Sequence, residues 1–555
     1  MLASKKKPKY IFVTGGVLSG LGKGITAASI GNILKERGLS VNMQKFDQYI
    51  NVDAGTLNPA EHGEVFVTDD GAECDLDLGH YERFLNKNLT AESSIMTGRI
   101  YLSLIARERK GEYLGKTVQI IPHVTDEVKK YARVAAQKNN YDVHIVEIGG
   151  TVGDDEGFHF IEAARQMRLE EGKDNVLYVH VVFLPYLKAS DEVKTKPAQN
   201  SVRDLRSIGI QPDVLIARTD HPVANGIKDK LSLYTNVETA AILPLPTVPS
   251  VYEVPLIMEQ NNLHEVIAAK LNLKLKRRVK PDWTNLVAKI KQDKPKLTIA
   301  LAGKYTTMLD TYSSVIEALK AACWRGDCNL NLRWVDAEEI ETSDTEPLLK
   351  DVAGVVVPGG FGTRGIEGKI KAIQYARENK IPYLGLCLGM QLAVVEFARN
   401  VAGIKNATSQ ECADEPAKPA QRSPAEAGRS WVIHIMANQK TITDKGGTMR
   451  LGGWDCILDK NSFAYQAYGQ KEIRERHRHR YEFNNDFRQQ LQNAGLRIAG
   501  TTPDNKLVEI VEVVDHPWFV GVQYHAEFTS RPIGGHPLFN AFIKAAKKLE
   551  QRTGG

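Results

Sequence analysis

The stretch YIFVTGGVLSGLGKGITAASIGNIL, residues 10–34, decides the fold of the first half of the chain. A short β-branched, apolar run at residues 10–14 enters a glycine-rich turn directly, and an apolar-periodic helix begins at Ile25. Glycines let backbone N–H groups approach phosphate oxygens, and the helix N-terminus adds the positive end of its dipole. Lys23 would reach the outer phosphates. The common phosphate loop has four residues between its glycines and a Ser or Thr after the lysine. Here five residues separate Gly16 from Gly22, and Gly24 stands where the magnesium-binding hydroxyl is expected.

The same strand-then-helix style continues outward. Apolar runs at residues 143–148, 176–184 and 214–217 complete one series, and runs at 297–302, 355–357, 383–386 and 519–524 form a second. Strands alternating with helices predict an α/β protein of two domains, each a mostly parallel sheet covered by helices on both faces. The charged, proline-bearing stretch between the series predicts a boundary: a first domain over 1–275, a linker over 276–296 and a second domain over 297–555. Residues 409–429, rich in Ala, Pro and Glu, read as a surface insertion in the second domain.

The chain has 555 residues, with 72 basic and 67 acidic side chains and a net charge of +5. That excess is too dilute for a dedicated nucleic-acid binder. No run reaches the roughly 18–20 apolar residues that span a bilayer. Six cysteines (74, 323, 328, 387, 412 and 456) lack pair-of-pairs spacing, so neither a disulfide framework nor a zinc site is indicated. These features predict a cytoplasmic location.

Magnesium demands hard oxygen donors, and without a loop hydroxyl carboxylates must supply them. Asp75 and Asp77 could share one side of an extended segment. Glu147 lies near the end of VHIVEIGG, where open α/β sheets place their ligand sites. Taken alone, either place would also suit a helix cap or a paired core charge. Lys194, Thr195, Lys196, Pro197, Ala198 and Gln199 follow another strand end and suit an anionic substrate, as a solvated loop also would.

In the second half, Gly385-Leu386-Cys387-Leu388-Gly389-Met390-Gln391 lies between a strand and the helical run LAVVEFARN. This is a nucleophile elbow with cysteine in place of serine, and the helix N-terminus favours the thiolate. His525 and Glu527 in WFVGVQYHAEF are two apart, so on a strand they would share a face, and Glu527 could orient His525 as the base. Upstream, Pro358-Gly359-Gly360-Phe361-Gly362 ends a strand, and its N–H groups together with that of Leu388 could hold an oxyanion, though a plain glycine turn reads the same.

These residues, with GGTMRLGG (446–453), ERHRHRYEFNN (475–485) and HGEVFVTDDGAECDLDLGHYERF (62–84), make the second half resemble the triad-type, class I glutamine amidotransferases. The whole chain resembles the CTP synthase family, an ammonia ligase fused to a glutaminase. The resemblance implies ATP-dependent amination of UTP to CTP through a 4-phosphorylated UTP, with ammonia from glutamine released through a Cys387 thioester and passed internally. It implies catalysis by Cys387, His525 and Glu527. ATP contacts would come from Gly20, Leu21, Gly22, Lys23, Gly24, Ile25 and Asp77. Ser19, Asp154, Asp155, Glu156, the stretch from Lys194 to Gln199 and Lys230 would contact UTP or CTP. Lys23, Lys45 and Asp47 would serve phosphoryl transfer, and Asp77 and Glu147 would hold Mg2+. Gly359, Gly360, Leu388, Gly389, Met390, Gln391, Glu411 and Arg480 would bind glutamine, Arg480 by bidentate pairing with the carboxylate. GTP as allosteric activator, CTP as inhibitor and a homotetramer complete the implied picture, with neither a nucleic-acid polymer nor a membrane as partner.

The chain departs from the family at several positions. Gln48 stands for a proline, Ala198 for a threonine, Asn200 for a histidine and Ala526 for a proline, and the runs GDDEGFHF (153–160) and ILPLPTVPSVYEVP (242–255) are atypical. The changes near 155–157 and 198–200 fall at the implied pyrimidine site. They keep open a relative that aminates another pyrimidine nucleotide or an ATP-activated carbonyl. A non-catalytic nucleotide-binding assembly protein is opposed by retention of Lys23, Asp77, Glu147, Cys387, His525 and Glu527.

Overall fold

The computed structural model describes residues 7–278, 282–304, 308–412, 428–436, 439 and 446–553. Most of the 409–429 insertion therefore lies outside the described residues. The chain divides into two compact units: Met1–Ala54 with Asp77–Ile290, and Gly55–Leu76 with Lys291–Gly555. The second unit thus takes in residues 55–76, which a single boundary at 276–296 assigns to the first domain.

The first unit is built on seven strands: β1 (Lys9–Gly15), β2 (Val41–Asp47), β3 (Ser94–Met96), β4 (Val143–Ile148), β5 (Val176–Phe183), β6 (Val214–Thr219) and β7 (Ile242–Pro246). Their order is β7-β6-β5-β1-β4-β2-β3, and every pairing is parallel. β1 lies between β4 and β5, so the glycine-rich turn leaves from the middle of the sheet. Tyr10 and Phe12 pack on one face with Phe46, Val146 and Tyr178. The helix Lys23–Glu36 covers the other, where Gly31 sits against Met43, Leu85 and Ile145.

The expected linker is not all solvated chain. The helix Asp282–Lys291 buries Trp283, whose indole N–H donates to the Tyr252 carbonyl at 2.9 Å and whose ring lies 5.2 Å from that of Phe84. A single large aromatic outweighs the polar composition around it, because its burial removes some 150–250 Å² from water.

The second unit is built on a nine-stranded sheet: β8 (Lys296–Gly303), β9 (Asn329–Asp336), β10 (Gly354–Val357), β11 (Tyr383–Leu386), β12 (Arg450–Leu458), β13 (Glu472–His479), β14 (Leu496–Thr501), β15 (Val508–Val513) and β16 (Phe519–Val522). Their order is β9-β8-β10-β11-β16-β15-β14-β12-β13. The first five are parallel, and from β16 onward the pairings are antiparallel. Period-two alternation divides β8 and β10 between two cores: Ala300, Ala302, Val355 and Val357 face one, Ile299, Leu301 and Val356 the other. Among the described residues, no helix is long and apolar enough to cross a membrane.

Trp283→Ala should destabilise the first unit by about 3–5 kcal/mol. Urea denaturation of the full chain would show this as a lowered first transition; an unchanged midpoint would mean that the helix is not part of that core.

Candidate functional site

In the first unit the carboxylates gather where β1, β2 and β4 end. Lys45 pairs with Asp77, and its ammonium lies 3.6 Å from Asp47 and 3.9 Å from Glu147. The Lys23 ammonium donates to the Gly150 carbonyl at 2.8 Å, and the Tyr81 hydroxyl donates to Glu147. Burial pushes the Glu147 carboxyl up to about 7, against the opposing pull of Lys45. Burial likewise lowers the Lys23 ammonium, against the pull of Glu147. Asp77 does not extend a strand with Asp75; it opens the helix Asp77–Leu85, and Tyr81 follows it one turn on, on the same helical face. That i,i+4 spacing was the available signal for Tyr81.

Gly24 explains the missing loop hydroxyl. A Cβ there would collide with Asp77 Oδ1 and stand 3.1 Å from its Cγ and 3.2 Å from Glu147 Oε2. The carboxylates therefore occupy the space that a Ser or Thr side chain would fill. Among the described residues no three His, Cys, Asp or Glu side chains form a metal-binding group. Two carboxylates beside the glycine-rich turn nevertheless form a donor set that suits Mg2+, which binds through one or two carboxylates plus substrate phosphates.

The remaining loop residues fall around this centre unevenly. Ser19 and Gly20 are exposed, whereas Leu21 and Gly24 are buried. Beneath the loop a chain of polar side chains escaped the sequence reading. Thr14 Oγ1 contacts His180 Nδ1 at 2.8 Å, and His180 Nε2 contacts Ser201 Oγ at 2.8 Å. Burial lowers His180 to about 3, so the ring is neutral and exchanges hydrogen bonds without adding charge. Lys194 pairs with Glu192, Gln199 donates to Thr195 Oγ1 at 3.0 Å, and Ala198 is fully buried. That departure therefore alters packing under the helix Lys196–Ser207. Asp154 accepts from the Thr151 N–H at 2.9 Å, and Asp155, Glu156 and Lys230 are exposed.

In the second unit Cys387 joins β11 to the helix Leu388–Asn400 with φ 50° and ψ −102°. A non-glycine residue held there is strained, as in a sharp strand-to-helix elbow. The Cys387 N–H donates to the Val522 carbonyl at 2.7 Å, tying the elbow to β16. β16 ends at Val522, so His525 and Glu527 do not share a strand face. A 3-10 turn, Ala526–Thr529, brings them together instead, with His525 Nδ1 2.7 Å from Glu527 Oε1. Ala526 is fully buried beside them. Burial alone would lower the imidazole, but Glu527 and the Cys387 sulfur override it and push His525 up to about 10.

Gly359 must lack a side chain, because a Cβ would stand 2.7 Å from His525 Cε1. Gly359, Gly360, His525 and Glu527 line a cavity of ≈ 260 Å³ that Arg478 also borders. Gln391 donates to the Tyr481 carbonyl at 2.9 Å and to Gln523 Oε1 at 3.3 Å. Gln523 in turn donates to Cys387 Sγ at 3.7 Å. Gln523 was not foreseen, although it lies two residues before His525. Glu411 accepts from the Gly362 N–H at 2.9 Å. Arg480 donates to Gln439 and to Thr448, each at 2.8 Å. Residues 55–76 are fastened to this unit by Arg478, which pairs with buried Glu73 at 2.7 Å and donates to the Gly55 carbonyl at 3.2 Å.

Two family models match the chain: "CTP synthase N-terminus" over residues 9–273 and "Glutamine amidotransferase class-I" over residues 307–545. The chain is 54% identical over 539 residues to a CTP synthase of Roseiflexus castenholzii, covering 97% of this chain and 95% of that protein. The chain belongs to the CTP synthase family. A CTP synthase of Caldanaerobacter subterraneus subsp. tengcongensis is 53% identical, with 98% of this chain and 99% of that protein covered. A solved glutaminase domain of Trypanosoma brucei CTPS with bound acivicin is 35% identical, covers 45% of this chain and 94% of its own, and superposes with a TM-score of 0.41. CTP synthase membership makes this chain a glutamine-hydrolysing C–N ligase that forms CTP from UTP with ATP as co-substrate.

Gly24→Ser adds the hydroxyl that phosphate loops usually carry, yet it should cut CTP formation from ammonia about 100-fold by displacing Asp77. A spectrophotometric CTP assay checks this; parental rates would show that the space tolerates the side chain.

Proposed function

We propose that the first unit uses ATP to phosphorylate the 4-oxygen of UTP, and that ammonia then displaces phosphate to give CTP. The observation that carries this reading is the cluster of Lys23, Lys45, Asp47, Asp77 and Glu147 beside the glycine-rich loop. Lys23 and the loop N–H groups would bind the outer phosphates, while Lys45 and Asp47 orient the transferred group. Asp77 and Glu147 would hold Mg2+, which neutralises phosphate charge when bound. Ser19, Asp154, Asp155, Glu156, Lys230 and the stretch from Lys194 to Gln199 would contact the pyrimidine nucleotide.

In the second unit Cys387 would attack the glutamine carboxamide. His525 accepts the thiol proton and returns it to the leaving ammonia, leaving a glutamyl thioester that water hydrolyses. Glu527 holds the imidazole in place through the 2.7 Å contact. Gly359, Gly360, Leu388, Gly389, Met390, Gln391, Glu411 and Arg480 would seat the substrate. Ammonia would pass internally to the first unit, unprotonated. Activation by GTP, inhibition by CTP, a homotetrameric assembly and a cytoplasmic location belong to the same proposal and rest on family membership.

Cys387→Ala should abolish glutamine-driven CTP synthesis while leaving ammonia-driven synthesis intact. Asp77→Ala or Glu147→Ala should remove both. Loss of ammonia-driven synthesis in a folded Cys387→Ala protein, or parental turnover of the carboxylate variants at low magnesium, would refute these assignments.

A further inference from the structure

Lys369 belongs to the helix Ile366–Glu378 and is 0% exposed, and among the described residues its ammonium has no hydrogen-bond partner. Burying an ammonium without a partner is strongly unfavourable, so such a group is kept where another charge repays it. A Cβ built on Gly360 would lie 3.6 Å from Lys369 Nζ and 3.5 Å from Leu388 Cδ2. The ammonium therefore lies directly behind the 359–362 turn, beside the residue that follows the nucleophile.

Three groups act on it electrostatically: Lys304 just past the end of β8, Glu411 in the turn Gln410–Cys412, and Cys387 at the elbow. Lys304 repels it. Glu411 is hydrogen-bonded to the Gly362 N–H at 2.9 Å. Cys387 is where new negative charge arises during turnover.

We propose that Lys369 is a positioning residue of the glutaminase site, whose buried ammonium stabilises the negative charge that Cys387 develops and transfers to the glutamine carbonyl oxygen. The proposal rests on the thioester reading above. His525 takes the thiol proton, the S–C bond forms, and the carbonyl π pair moves onto oxygen. When that pair returns, the C–N bond breaks and ammonia leaves with the proton from His525. Lys369 exchanges no atom in these steps and acts only through its charge. Burial and the neighbouring Lys304 push its ammonium down to about 7, while Glu411 and Cys387 oppose them. Its charge is thus present in acid and lost above neutrality.

The test compares Lys369→Met with Lys369→Arg in the full-length chain. Iodoacetamide alkylation of Cys387, located by peptide mass, is followed against pH alongside steady-state glutamine hydrolysis, with ammonia-driven CTP formation reporting folding. The Met variant should raise the alkylation midpoint by about one pH unit and lower kcat roughly tenfold, with KM within about twofold. The Arg variant should restore the acid-side rate and abolish the decline above neutral pH, because a guanidinium does not titrate there. A parental midpoint and pH profile in the Met variant would overturn the proposal. If that variant does not fold, an Arg variant that retains the alkaline decline overturns it equally. Failure of the thioester reading would appear separately, as absence of a trapped glutamyl-enzyme in the parent.

Discussion

Burying a charge is costly unless an opposite charge or a hydrogen bond meets it within a few ångströms, and that constraint shapes both sites. At the ends of β1, β2 and β4, Lys45 stands among Asp47, Asp77 and Glu147, with Lys23 close enough to feel them. Removing one member would strand the others in a low-dielectric region, a penalty of several kcal/mol. The arrangement fixes its surroundings: Gly24 yields space to the carboxylates, Tyr81 turns its hydroxyl to Glu147, and the helix Asp77–Leu85 starts where it must. Burial holds the Glu147 carboxyl above its ordinary value, so an added cation beside it would be stabilised by restoring the carboxylate.

The second unit meets the same constraint with a strained backbone. Cys387 is held at positive φ by the sheet on one side and the helix on the other, and the hydrogen bond to Val522 locks it to the strand leading towards His525. Arg478 links residues 55–76 to that region through Glu73, so a segment distant in sequence becomes part of the wall of the cavity beside His525. The His525 N–H donates to the Arg476 carbonyl at 2.8 Å, which ties β13 to the same turn. Strain at the elbow is thereby shared among elements that are each packed on a core.

Much of this was legible because it is local. The run at 10–14, the glycine turn and the helix after it are neighbours in sequence, and the elbow's strand, cysteine and helix are likewise consecutive. The His525–Glu527 contact was foreseen for the wrong reason, since spacing of two suggested a strand and the chain instead makes a 3-10 turn. Three features were illegible because they depend on distant partners. Trp283 makes part of the linker into core through Phe84 and Tyr252, residues 55–76 join the second unit through Arg476 and Arg478, and Lys369 is an ordinary surface-type residue until the 359–362 turn covers it.

We propose that nitrogen released at Cys387 would reach the nucleotide without mixing with the solution, and this can be tested directly. The most direct measurement supplies glutamine labelled with 15N in its amide, together with UTP, ATP, magnesium, GTP and an excess of unlabelled ammonium at neutral pH, and reads the isotope in CTP by mass spectrometry. Internal transfer should give CTP labelled far beyond the 15N fraction of the bulk ammonium. Label diluted to that bulk fraction would contradict it, because the two sites would then communicate only through solvent.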